Sequence, residues 1–176
     1  MVPERAAASP DWSTSPLDWS AAAAALGPRL FRYFAASRER AWAADLVQET
    51  LLRLMQRCEA GSFDAAKGSL AMFAFGIAHR VRLEARRHDR SSDGPMPRSA
   101  APLELAHDAG AVEIHERLAL RSAIAALPEA QRDVVELLVD RDLSLAEIAV
   151  ILELPLNTVK SHVHRAKAAL RAALGE

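Results

Sequence analysis

The sequence predicts an all-α protein with two small helical domains joined by a flexible linker, the second domain a helix-turn-helix. Three observations carry this expectation. Apolar residues recur at spacings of three and four, and no segment alternates with the period of a half-buried strand. A stretch rich in Pro and Ser, Ser91 to Pro102, interrupts the helical pattern. All aromatic residues lie at or before Phe75, so the later half must fill its core with Leu, Ile, Val and Ala.

Residues 1–16 are rich in Pro, Ser and Ala without periodicity and read as a flexible tail. The first domain is expected over residues 17–90. Leu17 to Ser37 is helical in pattern, with Phe31, Tyr33 and Phe34 adding core bulk. Ala41 to Cys58 carries an apolar stripe of Val47, Leu51, Leu54 and Cys58, and Asp45, Gln48, Glu49 and Gln56 lie off it. Ala60 to Ser69 contains Gly61 and Gly68 and breaks the pattern, which marks a loop. A second long helix runs from Ser69 to near Arg90, with Leu70, Phe73, Ile77 and Val81 turned inward. Its distal half is basic, carrying Arg80, Arg82, Arg86, Arg87 and Arg90.

Residues 91–111 read as the linker and residues 112–176 as the second domain. Helical pattern resumes near Val112 and runs to Leu127 through Ile114 and Leu118. Pro128 suits the first turn of the next helix, Glu129 to Val139. Ser144 to Ala149 opens a short helix, Glu153-Leu154-Pro155-Leu156 interrupts it, and Asn157-Thr158 starts and caps the last one. There Val159, Val163, Ala166, Leu170 and Leu174 form one stripe, and Lys160, His164, Lys167 and Arg171 line another face. No acid occurs between Pro155 and Leu174. The preceding stretch carries Glu129, Asp133, Glu136, Asp140, Asp142, Glu147 and Glu153. A buried stripe backed by a basic, acid-free outer face suits a DNA major groove.

Composition narrows the function classes. The 176 residues hold 22 basic and 23 acidic side chains, so nucleic-acid affinity must come from local patches. The lone Cys58 excludes an intramolecular disulfide and fits a reducing compartment. No apolar run approaches the roughly 20 residues that span a bilayer, and no secretory core is visible near the start. A cytoplasmic location without membrane insertion is expected. His162 and His164 are two residues apart on different helix faces, and no Cys-x-x-Cys or His-x-x-x-His spacing occurs. Neither a nucleophile-base arrangement nor a phosphate-cradling glycine loop is present. The expectation is therefore no metal, no cofactor, no small-molecule substrate and no enzymatic activity.

Taken in order, three features resemble the extracytoplasmic-function sigma factors, small bacterial initiation subunits of RNA polymerase. They are Asp45-Leu46-Val47-Gln48-Glu49-Thr50, the arginine-rich helix, and Thr158-Val159-Lys160-Ser161 with Arg165-Ala166-Lys167. The resemblance spans Leu17 to Leu174. It implies that the first domain binds the clamp of core RNA polymerase and the minus-10 promoter element, the second the minus-35 element, and that an anti-sigma factor is a partner. Asp45, Gln48 and Glu49 would face the clamp, where acceptors and negative charge complement a basic surface. Phe63 in the loop would meet an extruded base, and Arg80, Arg82, Arg86 and Arg87 would neutralise phosphates of the opened strand. Asn157, Thr158, Lys160, Ser161, His164 and Arg165 lie near enough to the helix start to meet phosphate or base edges, and Lys167 and Arg171 would meet phosphates.

This chain departs from the family pattern at several positions. Trp42-Ala43-Ala44 stand where acids usually precede Asp45, and Arg80 replaces an asparagine that often holds the extruded base. Phe73 and Phe75 replace a tryptophan and a tyrosine, Glu153 and Asn157 replace turn glycines, and His162 replaces a frequent arginine. Plainer readings stand beside these: a solvated face for Asp45, Gln48 and Glu49, a core place for Phe73, and simple docking for Phe63. Two other functions fit a helix-turn-helix of this kind, a conventional regulator with a helical sensory or dimerisation domain and a helical adaptor that binds no DNA.

Overall fold

The computed structural model describes residues 18–37, 39–91, 111–138, 140 and 142–175; the expected tail and nearly all of the expected linker lie outside them. Among the described residues are seven α-helices: α1 Trp19–Ala36, α2 Ala43–Glu59, α3 Leu70–Ser91, α4 Ala111–Ala126, α5 Glu129–Leu137, α6 Leu145–Ile151 and α7 Leu156–Leu174. A short 3-10 turn, Arg40–Trp42, leads into α2.

The first three helices enclose an aromatic core. Asp18 starts α1 by accepting from the amides of Ser20 and Ala21 at 3.0 and 3.1 Å. Ala22, Leu26, Leu30, Tyr33 and Phe34 are its buried residues. Tyr33 meets Phe75 of α3 edge-on at 5.7 Å between ring centroids. On α2 the buried line is Ala43, Leu46, Thr50 and Leu54, while the expected Val47, Leu51 and Cys58 flank it. Thr50 hides this rotation in the sequence: it looks polar, yet its hydroxyl donates to the Leu46 carbonyl at 2.7 Å and it buries completely. On α3, Phe75 takes a fully buried core place and Phe73 a half-buried one beside it.

The last four helices contain no Phe, Tyr or Trp. Arg132, buried on α5, donates to the carbonyls of Ile124, Ala125 and Leu127 and so satisfies the end of α4. Pro128 stands one place earlier than expected, as the N-cap of α5 rather than in its first turn. Ser144 and Glu147 start α6 with reciprocal side-chain to backbone bonds of 3.2 and 2.9 Å. Helix α7 starts at Leu156 behind Pro155 with no side-chain cap, so Asn157 and Thr158 are first-turn residues and not the caps the sequence predicted. Proline at this place fixes the entry and leaves both side chains outward of the cap site.

The buried residues of the two halves join in a single apolar cluster that runs from Ala22 to Val159. Helix α3 rests on α6 and α1 touches α5. The halves are thus folded against each other.

Candidate polymerase and nucleic-acid surfaces

The outer face of α2 carries Asp45 and Gln48 exposed and Glu49 half-buried. Asp45 lies in the first turn, where its charge complements the helix dipole. Glu49 accepts from Arg53 Nε at 2.6 Å, and Arg53 Nη1 donates to Glu84 of α3 at 2.7 Å. Part of the negative charge at Glu49 is therefore already matched. Asp45 and Gln48 are the more available pair.

The loop after α2 turns on Gly61 and Gly68, with φ of 69° and 157°. A Cβ at Gly68 would sit 2.2 Å from the end of Met72. Asp64 accepts from the Ala66 amide at 3.0 Å and pairs with Lys67 at 3.3 Å; the amide bond, then the lysine, holds its carboxyl below the usual carboxylate range. Phe63 rests half-buried against Phe73, 5.6 Å between centroids. The loop ring and the α3 ring thus pack as one tilted pair.

The arginines of α3 separate into two sets. Arg80 and Arg87 are exposed, and Arg80 reaches Glu153 of the helix-turn-helix turn at 3.3 Å. Arg82 and Arg86 are buried, which corrects the expectation that all four present themselves to phosphates. Arg82 is wholly enclosed; it binds Asp133 at 2.8 Å and also Glu136, both on α5. Arg86 binds Glu39 at 2.6 Å, Glu129 at 3.2 Å and Asp133 at 3.3 Å. Arg29 of α1 completes the seam with two bonds to Asp140, at 2.8 and 2.9 Å. Bidentate guanidinium-carboxylate pairing of this kind is short and directional.

The acids of α5 are visible in the sequence, but their partners are not. Glu129, Asp133 and Glu136 recur at spacings of four and three, which places them on one face of α5, and Asp140 follows just beyond its end. That spacing was the available clue.

His79 sits within this seam. Arg82 Nη2 lies 3.2 Å from its Nδ1 and the Tyr33 hydroxyl lies 3.5 Å from the same nitrogen. A guanidinium only donates, so Nδ1 accepts and the ring is neutral. Burial, reinforced by the charge of Arg82, pulls the imidazole down to about 4. Burial pushes the Tyr33 phenol up to about 12, and Arg82 lies over its ring at 4.9 Å.

On α7 the stripe falls as expected, with Val159 and Ala166 buried and Val163 and Leu170 half-buried. Leu174 is exposed. Asn157, Lys160, Ser161, His164, Arg165, Lys167 and Arg171 are exposed and Thr158 is half-buried. The Ser161 hydroxyl donates to the Asn157 carbonyl at 2.9 Å, leaving its lone pairs outward. Glu153 precedes this helix with φ of 55°, a left-handed conformation in a non-glycine residue.

Among the described residues, no group of three or more His, Cys, Asp or Glu is placed to hold a metal ion. No described helix is long and apolar enough to cross a membrane.

Comparison with known proteins places the chain among characterised families. Residues 24–92 match the family Sigma-70 region 2, and residues 117–170 match Sigma-70, region 4. An ECF RNA polymerase sigma factor of Cereibacter sphaeroides, RpoE, is 34% identical over 130 residues, covering 73% of this chain and 70% of the relative. SigL of Mycobacterium tuberculosis, also an ECF RNA polymerase sigma factor, is 34% identical over 140 residues, covering 78% and 77%. In fold, the chain resembles the sigma factor RpoE solved with the anti-sigma factor NepR from Bartonella quintana. That match has a TM-score of 0.69 and 24% identity, and covers 90% of this chain and 97% of the other. It also resembles CnrH solved with the cytosolic domain of CnrY, with a TM-score of 0.62, 20% identity and coverage of 89% and 87%.

Proposed function

The chain belongs to the ECF sigma factors, which bind core RNA polymerase and direct promoter-specific initiation, and from that premise we propose a division of labour among its surfaces. Residues 17–90 form the polymerase and minus-10 domain, residues 91–111 the linker, and residues 112–176 the minus-35 domain. Asp45 and Gln48, with a lesser part from Glu49, face the clamp. Their exposure on one face of α2 supports this.

Phe63, packed at a tilt against Phe73, meets an extruded base of the opened strand, and Arg80 and Arg87 meet its phosphates. On α7, Lys160, Ser161, His164 and Arg165 read base edges. Asn157, Thr158, Lys167 and Arg171 hold phosphates and set the register. The observation that carries this reading is the exposed, acid-free cationic face of α7 opposite its buried stripe.

The chain works without a cofactor or catalytic residue of its own, in the cytoplasm. It captures the opened strand instead of consuming nucleotide, and an anti-sigma factor holds it in reserve. Run-off transcription with purified core enzyme tests this. Promoter-specific initiation is expected. Duplex binding without initiation would make the chain a conventional regulator, and neither activity would leave an adaptor.

A further inference from the structure

We propose that Arg53 of α2 is a positioning residue for promoter-strand binding: it neutralises Glu84 within the strand-facing strip of α3. This rests on the strand-facing role proposed above for Arg80 and Arg87.

Arg80, Glu84 and Arg87 follow one another at spacings of four and three, so they share one face of α3. All three are exposed. A carboxylate in the middle of that face repels the phosphates its two neighbours attract, because like charges placed opposite each other oppose binding. The cation that meets Glu84 comes from the neighbouring helix. Arg53 Nη1 donates to Glu84 at 2.7 Å, and α2 packs against α3 along this side.

The same guanidinium has a second partner. Its Nε donates to Glu49, one turn back on α2, at 2.6 Å. A guanidinium carries donors along more than one edge, so a single side chain holds carboxylates of two helices, and a lysine ammonium is no equivalent. Arg53 therefore stands between the clamp-facing row, through Glu49, and the strand-facing strip, through Glu84.

The bridge lies in the open: the side chains of Arg53, Glu49 and Glu84 expose 34%, 46% and 52% of their surface. Ion pairs so exposed add little to stability. What this one changes is the charge that each surface presents. With Arg53 seated, the strip offers Arg80 and Arg87 with a matched acid between them; without it, the acid stands unmatched. On the other helix Arg53 takes up part of the charge of Glu49. It thus favours strand binding while tempering the clamp surface, opposed effects that a simple structural brace does not produce.

The test titrates the purified full chain with a fluorescent single-stranded oligonucleotide of mixed sequence and competes each variant against wild type for core RNA polymerase. Arg53→Gln should bind the oligonucleotide about threefold more weakly, a loss of the size expected for one exposed charge pair. It should bind core at least as tightly as wild type. In a Glu84→Gln background the same substitution should cost next to nothing, because no acid is left to neutralise. Arg87→Gln serves as the reference for the strip and should weaken oligonucleotide binding. The exposure of all three bridge residues keeps the fold out of these comparisons.

Equal losses from Arg53→Gln with and without Glu84 would reduce Arg53 to a general positive charge and overturn the inference. A double variant weaker than Arg53→Gln alone, or lost core affinity in Arg53→Gln, would make the bridge a brace and overturn it too. If Arg87→Gln had no effect, the strip would not face the strand, and the proposed role of α3 would fall together with this inference.

Discussion

Arg82 of α3 and Glu136 of α5 meet across the boundary between the two halves, and neither side chain exposes more than 1% of its surface. Removing one member of such a pair leaves a buried charge without a counterion. Arg82→Met should destabilise the chain toward denaturant by about 3–5 kcal/mol, and adding Glu136→Leu should recover a large part of that. Circular dichroism across a urea titration checks the order. A double variant weaker than the single one would mean that the pair itself, and not its broken half, is what matters.

His79 makes stability depend on pH in a defined direction. Its pKa in the fold, about 4, lies below the ordinary 6.5, so the unfolded chain binds the extra proton. Its contribution is complete above about 6.5 and is lost as pH falls toward 4. Unfolding free energies of wild type and His79→Gln between pH 7.5 and 4.5 should converge as pH drops. Parallel curves would sink the assignment.

Glu153 holds a left-handed backbone at φ 55°, which costs a side-chain-bearing residue about 1 kcal/mol. Glu153→Gly should be neutral to about 1 kcal/mol more stable, because the relief of strain exceeds the lost exposed pair with Arg80 and is partly offset by chain entropy. Glu153→Val should lower stability by about 1 kcal/mol or more. Thermal midpoints of the two variants should therefore move apart.

Charge reversal should act unequally on α2. Asp45→Lys should weaken core-polymerase binding more than Glu49→Lys, because Glu49 is already bonded to Arg53 at 2.6 Å. Each should leave duplex contacts intact. Competition for core enzyme measures this, and unchanged affinity for Asp45→Lys would count against the clamp surface.

On α7, Lys160→Ala or Arg165→Ala should reduce promoter use by about 1–3 kcal/mol in binding terms while sparing core binding. Paired transcription and core-competition assays separate the two effects. Loss of polymerase affinity in either variant would undo the division between the halves.

The helices were legible in the sequence because each writes its own period: α7 showed both Val159 and Ala166 inside and Lys160 and Lys167 outside. What stayed hidden depends on partners far away in the chain. Arg82 reads as a surface cation until Glu136, fifty-four residues on, encloses it. Thr50 reads as polar until its hydroxyl is seen bonded to Leu46. The start of α7 was misplaced because Pro155 fixes the entry through its ring, whereas a capping rule looks for a side-chain oxygen.

The uneven distribution of rings governs what an optical experiment on this chain reports. Trp19 and Trp42 pack on the core built by α1 to α3, and no aromatic side chain follows Phe75. Intrinsic fluorescence therefore watches one half melt and is dark to the other. A C-terminal half that separated and unravelled early would go unnoticed unless a label or backbone probe were placed there.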